Sequence, residues 1–152
     1  MALKRRQPKT HLTSKNKTME AQELRIGNKV YYNEDHKEIG TVTSLMAHID
    51  SHNTVGLNGR VNMTYDIGDL SGIPLSEQIL LDCGFEYLQI DRYKFLKYKS
   101  DNLDFLFKDG KVKIGVQGVA NVEWFMELEY LHNLQNFFAL TNKELTINLT
   151  QK

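Results

Sequence analysis

The chain has 152 residues, of which 41% are hydrophobic and 25% charged, so its composition excludes a disordered chain and predicts a globular protein with its own core. Basic and acidic residues balance at 19 each, but six of the basic residues and no acid fall within residues 1–19, which leaves 13 basic and 19 acidic residues beyond. The single cysteine excludes an intramolecular disulfide, and no apolar run suits a signal peptide or a membrane span, so a reducing cytoplasm is the expected location.

The first segment, residues 1–19, has no apolar periodicity and mixes basic and small polar residues around Pro8. It cannot bury enough surface to offset the entropy cost of ordering, so we expect a disordered basic arm. Flexible Lys/Arg segments neutralise phosphates and release counterions, which favours nucleic acid as a partner, and such an arm also suits insertion into a protein assembly such as a virion. The expected contact residues are Lys4, Arg5, Arg6, Lys9, Lys15 and Lys17.

Residues 20–70 are expected to form a small β-barrel-like lobe. Short β-type runs occupy residues 29–32, 39–46, 54–57 and 60–65. Between the last two runs, Asn58-Gly59 predicts a tight hairpin because both residues readily adopt positive φ angles. The next segment, 66–74, contains two glycines and Pro74, which break regular elements, so it predicts the joint between two lobes.

Residues 71–152 are expected to form an α+β lobe in which two helices cover an antiparallel meander. Ser76 is a suitable N-cap for the first helix and Gly84 a suitable terminator. Period-two segments then predict strands over residues 85–87, 93–95, 103–107, 112–116 and 122–128. Asp109-Gly110 lies between the third and fourth of these and predicts a two-residue hairpin.

The last two predicted elements differ in what they expose. In the segment 122–128, the alternate residues Val122, Trp124, Met126 and Leu128 are expected to face the core. Phe125 falls out of phase with them, so it is expected at a partner-binding surface. The segment 130–141 predicts a helix with one wide apolar face formed by Tyr130, Leu131, Leu134, Phe137 and Phe138. The opposite face, with His132, Gln135 and Asn136, is expected to be solvated.

Three groups of segments together resemble one family. They are LRIGN at 24–28, IPLSE at 73–77 with Gly84-Phe85 downstream, and HNLQNFFALT at 132–141 with Glu144-Leu145. These motifs resemble uncharacterised small proteins encoded by gut Bacteroidota and their phages and prophages. The resemblance covers residues 20–146, with the third group as its most specific part. It implies a phage or prophage setting and carries no functional residue with it.

Metal-binding residue types occur without a convincing pattern. His48 and His52 flank Asp50, but no third ligand or cysteine stands at zinc spacing, so this group is interpreted as a surface loop and no metal is expected. Cys83 precedes a helix-terminating glycine after an apolar run, which indicates a buried structural thiol instead of a nucleophile.

Carboxylates crowd the predicted joint. Asp66, Asp69 and Glu77 are residue types suited to acid/base work or to holding magnesium, but aspartates in a Gly-rich turn more often cap the turn.

We therefore expect a non-enzymatic accessory protein of a phage or mobile element, with no cofactor and no catalytic residue. Its partner is expected to be a nucleic acid or a protein assembly, contacted through the basic arm and Phe125. The alternative is a small-molecule binder or enzyme with its site in the cleft between the lobes, near residues 66–74.

Overall fold

A computed structural model describes residues 19–33, 38–47, 53–59, 63–90, 93–98, 103–117, 121–143 and 145–149. The protein is α+β, with mostly antiparallel strands and two α-helices. In chain order the elements are β1 (Lys29–Tyr31), β2 (Ile39–Ala47), β3 (Asn53–Leu57), β4 (Thr64–Asp66), β5 (Ser71–Gly72), α1 (Glu77–Asp82), β6 (Glu86–Ile90), β7 (Tyr93–Lys97), β8 (Asp104–Lys108), β9 (Lys111–Gln117), β10 (Val122–Leu128) and α2 (Leu131–Leu140). Two short 3-10 turns occupy Ala21–Glu23 and Ile67–Asp69.

The first lobe is an open five-stranded sheet in the order β4-β3-β2-β1-β5. Among the described residues β4 and β5 remain its two edges and no strand pair closes it, so a barrel in this lobe stays a prediction. Its central strands contribute β-branched residues such as Val30, Val42 and Val55 to a compact apolar core. This core contains Met19, Leu24, Val30, Val42, Val55, Leu57, Ile67 and Leu70. Met19, the last residue of the predicted arm, thus belongs to the core.

The turn at Asn58 and Gly59 has the predicted backbone, with φ angles of 55° and 65°. The strand register nevertheless differs from a two-residue hairpin, because Val55 pairs with Tyr65 three positions further along. Hydrogen bonds explain the difference. Asn58 donates from its backbone N–H to Thr41 O at 2.8 Å, and its side-chain Oδ1 accepts from Thr41 N at 2.8 Å, so the turn is tied to β2.

The second lobe contains two antiparallel sheets where the sequence predicted one continuous meander. Strands β6 and β7 form a hairpin, and β8, β9 and β10 form a three-stranded sheet with β9 in the middle. Asp109 and Gly110 connect β8 to β9, with φ angles of 53° and 77° and Lys108 opposite Lys111. The predicted two-residue hairpin is confirmed.

The ends of α1 are those that the sequence predicts. Ser76 Oγ accepts a hydrogen bond from Ile79 N at 3.2 Å, which satisfies one of the free donors of the first turn. Gly84 adopts a φ of 87°, and Phe85 N donates to Leu80 O at 3.0 Å, a geometry that closes the helix at a left-handed residue.

Helix α2 covers the three-stranded sheet through its predicted apolar face, and Leu131, Leu134, Phe137 and Phe138 are all buried. The rings of Phe105 and Phe138 stack with centroids 5.8 Å apart. The same core includes the buried side chains of Ile73, Leu75, Leu80, Cys83, Phe85, Leu96, Val112 and Ile114.

Strand β5 connects the lobes. It pairs with β1 in the first-lobe sheet, and directly after it Ile73 O accepts a hydrogen bond from Leu131 N at 2.9 Å. Gly72 lies against the second lobe so closely that a Cβ there would stand 2.6 Å from Cδ1 of Tyr130 and 3.0 Å from Cε1 of His132. Within the predicted joint at 66–74, Gly72 and Ile73 are thus packed against the second lobe.

The polar face of α2 is not solvated, so that prediction is wrong. His132 is buried and its ring stacks on Tyr130 with centroids 5.7 Å apart. Gln135 and Asn136 are half-buried and bond to the first lobe. Helical periodicity identified the apolar face correctly. It carries no information about the first lobe, which contacts the opposite face of α2 through polar groups.

Candidate functional site

Strand β10 forms one edge of the three-stranded sheet, and its middle is a β-bulge. Trp124 lies opposite Gly115, whereas Met126 lies opposite Ile114, so Phe125 is the extra residue. Opposed residues of an antiparallel pair lie on the same face, and the bulge therefore moves Trp124 to the face away from Met126. The predicted alternation from residue 122 to 128 is broken at this point.

The bulge leaves three consecutive large apolar side chains in contact with solvent. Trp124 is 43% exposed, Phe125 55% and Met126 40%. The exposure of Phe125 was predicted, whereas core positions for Trp124 and Met126 were predicted wrongly. We call these three residues the β10 surface; they follow one another along the edge strand, with Trp124 and Met126 on opposite faces of the sheet. A hollow of about 180 Å³ lies beside this surface, and its lining includes Trp124 together with Val122 and Leu88.

Gly115 explains how β10 can lie so close to β9 at the bulge. A Cβ at this position would stand 2.7 Å from the backbone oxygen of Glu123 and 2.9 Å from Cε3 of Trp124. Any side chain would therefore displace either the backbone of β10 or the indole ring. The absence of a side chain at Gly115 thus allows Trp124 to lie this close to β9.

Charges beside the β10 surface are partly paired. Lys111 Nζ lies 2.9 Å from Glu127 Oε1, and Lys113 Nζ lies 3.8 Å from Glu127 Oε2, with all three side chains exposed. The hydrogen bond to Glu127 raises the pKa of Lys111, and the same bond lowers the pKa of Glu127. Glu127 thus makes both contacts. Glu123 and Glu129 add exposed acids to the strand and its end.

A second notable region is the contact between α2 and the turn before β1. Asn28 Nδ2 donates to Asn136 Oδ1 at 3.0 Å, and Asn136 Nδ2 donates to Glu23 O at 2.8 Å. Gln135 Oε1 accepts from Lys29 N at 2.8 Å. Residues 24–28 and 132–141, which are far apart in the sequence, thus meet in space through side-chain amides.

A cleft of about 570 Å³ opens beside this contact. We call it the joint cleft. The turn with Arg25 and Ile26 lines one side, and α2 with the following Asn142 and Lys143 lines the other. The sequence predicted an interlobe cleft near residues 66–74, but that segment contributes nothing to the joint cleft. Residues 66–68 instead line a separate surface depression of the first lobe.

The predicted carboxylates do not form one site. Asp66 Oδ1 accepts a hydrogen bond from Gly68 N at 2.8 Å and so caps its own turn. Glu77, the first residue of α1, accepts a hydrogen bond from the Tyr87 hydroxyl. No group of three His, Cys, Asp or Glu side chains within the described parts of the chain could hold a metal ion.

Cys83 is fully buried in the second-lobe core. Burial raises the pKa of its thiol to about 12, with a smaller contribution from the charge of Asp82. The thiol is therefore protonated at neutral pH, as the prediction of a structural cysteine requires. The other predicted candidates, namely the arm cations Lys4, Arg5, Arg6, Lys9, Lys15 and Lys17 and the loop residues His48, Asp50 and His52, lie outside the described residues.

Comparison with protein-family models, with curated proteins and with solved structures found no match to this chain. Within the described residues no helix is long and apolar enough to cross a membrane.

Proposed function

We propose that this protein is a non-enzymatic binding protein and that its β10 surface contacts another protein. One observation carries the proposal: Trp124, Phe125 and Met126 are consecutive, large and exposed on an edge strand. Exposed clusters of apolar side chains mark interaction surfaces in soluble proteins, and aromatic residues and methionine are enriched in interfaces. Phe125 at the centre of the bulge is the expected anchor residue.

A protein suits this surface better than a nucleic acid. The indole and phenyl rings can stack on bases, but phosphates would meet Glu123, Glu127 and Glu129 along or beside the strand. The cations of Lys111 and Lys113 both contact Glu127, and with Glu123 and Glu129 included the acids here outnumber these two cations. Charge complementarity therefore favours a partner surface with an apolar centre and basic residues at its rim.

The bulge also indicates how the partner binds. A regular edge strand pairs readily with a strand of another chain, but a bulge interrupts the row of backbone donors and acceptors. The partner accordingly contacts side chains, with Phe125 entering a pocket of its surface. The hollow lined by Trp124 and Leu88 accepts a side chain in return.

The basic arm is the second contact in this proposal, through Lys4, Arg5, Arg6, Lys9, Lys15 and Lys17. Such a segment attracts an acidic or phosphate-bearing surface at long range. The family resemblance supports a role as an accessory protein of a phage or mobile element, in the cytoplasm of a bacterial host or in a virion. We also propose that the first lobe has the shape of a small barrel.

Photo-crosslinking tests the proposal. A crosslinking residue is placed at position 125 and, as a control, at position 63, because Met63 is also exposed, at 47%, but lies in the first lobe. Crosslinking is carried out in host cells with and without nuclease treatment of the lysate. We expect position 125 to give one protein adduct that survives nuclease treatment. The partner identified in this adduct should then bind the purified protein directly. Adducts that contain nucleic acid, or equal adducts from both positions, would contradict the proposal.

A further inference from the structure

The hollow beside the β10 surface has aromatic and aliphatic side chains in its wall. The rings of Trp124 and Phe105 line it together with Leu88 and Val122. We propose that this hollow receives one uncharged aromatic side chain of the partner protein. The proposal rests on the function proposed for the β10 surface and names the group by which the partner is recognised there.

Three residues in register place the hollow on the face of the three-stranded sheet that carries Trp124. Asp104 of β8 and Trp124 of β10 both lie opposite Gly115 of β9, and both line the hollow. Opposed residues of antiparallel strands share a face. A Cβ at Gly115 would stand 2.7 Å from Cγ1 of Val122 and 2.9 Å from Cε3 of Trp124. The middle strand thus contributes no side chain at this level, between two of the residues that line the hollow.

The volume of the hollow suits a single ring. It measures about 180 Å³. An apolar cavity of roughly 150 Å³ with a lining of leucine, isoleucine and phenylalanine accepts a benzene molecule. A phenyl or phenol ring attached to a protein chain therefore fits the hollow.

The rings in the wall favour an aromatic occupant over an aliphatic one. Trp124 is 43% exposed, so its indole can contact an incoming group, whereas Phe105 is buried and lies deeper. Aromatic pairs in offset or edge-to-face arrangements are more stable than the burial of their apolar area alone explains. A leucine side chain would gain the area term alone.

The charges of the lining favour an uncharged occupant. Lys97 and Asp104 both belong to the described lining and carry opposite signs. An ionised group in this hollow would lose hydration against Leu88 and Val122 and would meet a like charge as well as an opposite one. A neutral ring carries neither cost.

Trp124 makes the hollow continuous with the β10 surface, because it belongs to that surface and also lines the hollow. Phe125, its neighbour in the chain, is the anchor expected to enter the partner. Anchor residues of one protein tend to lie beside those of the other in an interface. One partner can therefore accept Phe125 and place its own ring in the hollow.

NMR titration of the full-length ¹⁵N-labelled protein with benzyl alcohol tests the hollow without the partner. We expect saturable shifts of the Leu88, Val122 and Trp124 amides in the millimolar range. Three further probes serve as comparisons: 2-methylpropan-1-ol has the branched shape of a leucine side chain, and benzoate and benzylammonium carry the ring with a charge. Each should bind at least about threefold more weakly than benzyl alcohol.

Leu88→Asp places a carboxylate in the wall and should weaken the binding of benzyl alcohol about fivefold or more. Leu45→Asp is the matched control, because Leu45 lies in the first lobe and is 40% exposed, against 38% for Leu88. This control should leave the binding unchanged. Amide spectra verify that both variants fold. Leu88→Ala removes part of the wall without adding a charge, so it provides a second, milder variant that should weaken binding about twofold or more.

Saturable binding of benzyl alcohol that Leu88→Asp weakens and Leu45→Asp does not supports the proposal, and Leu88→Asp should also weaken partner binding about tenfold. The proposal would be overturned by no saturable shift at the hollow, by equal or tighter binding of a comparison probe, or by equal effects of the two Asp variants. A protein adduct from position 125 would even then support the β10 surface as an interface. Ring binding without any such adduct would instead contradict the proposed function and overturn the partner as the source of the ring.

Discussion

Asn28 and Asn136 form a hydrogen bond of 3.0 Å between their side-chain amides, although 108 residues separate them in the chain. This bond joins the turn before β1 to the middle of α2, and it is part of a network with Gln135, Lys29 and Glu23. Half-buried amides that bond to backbone groups of another lobe hold the two lobes in one relative position.

Replacement of Asn136 by Ala should therefore destabilise the protein by about 1–3 kcal/mol, because Glu23 O and the Asn28 amide lose their partners in a partly buried place. Asn133→Ala is the matched control on the same helix, since its side chain makes no hydrogen bond within the described residues. Urea unfolding gives both free energies. Equal values for the two variants would mean that the amide network does not hold the lobes.

Gly72→Ala should destabilise the protein by about 1–3 kcal/mol, because the new Cβ would lie 2.6 Å from the ring of Tyr130. If the ring is the obstacle, Tyr130→Ala in the same protein should recover part of this loss, and the two changes should not be additive. A four-variant cycle of thermal melts measures the coupling. Strict additivity would contradict the close contact between β5 and the second lobe.

Leu134→Ala should lower the free energy of unfolding by about 2–5 kcal/mol, because the Leu134 side chain is fully buried on the core face of α2 and its truncation opens a cavity. Leu140→Ala is the control, since Leu140 lies on the same helix but is 69% exposed, and a change within about 0.5 kcal/mol is expected. Chemical denaturation of both variants tests whether α2 packs as described.

Cys83 should resist alkylation in the folded protein and react rapidly after unfolding. Burial raises its pKa from the usual 9.0 to about 12, so the folded state holds the thiol proton more tightly than the unfolded state. This stabilisation is fully present below pH 9 and is lost as the pH rises towards 12. Iodoacetamide kinetics with and without urea measure the protection, and equal rates would contradict the burial of the thiol.

Much of the fold follows from local signals in the sequence. The Asp109-Gly110 hairpin, the Ser76 and Gly84 ends of α1 and the apolar face of α2 all depend on a few neighbouring residues, and each is confirmed. The contact between Asn28 and Asn136 could not be predicted in this way because it joins distant segments. One signal was available: α2 contains no charged residue, although a helix face in water usually carries several.

The candidate site was predictable only in part. The exposure of Phe125 followed from its phase in the strand, but the exposure of Trp124 and Met126 depends on a bulge that strict alternation does not include. Three consecutive large apolar residues violate period two, and that run was the available sign of a bulge. The joint cleft requires the docking of α2 on the first lobe and has no local sequence signal.

The central claim is that the β10 surface binds a protein through Phe125. The most direct test is calorimetric titration of the partner, identified by crosslinking at position 125, with the wild-type protein, Phe125→Asp and the first-lobe control Met63→Asp. We predict that Phe125→Asp weakens binding more than about 30-fold, as expected for an interface anchor, and that Met63→Asp keeps the wild-type affinity. If a folded Phe125→Asp protein bound the partner as tightly as the wild type, the claim would be wrong.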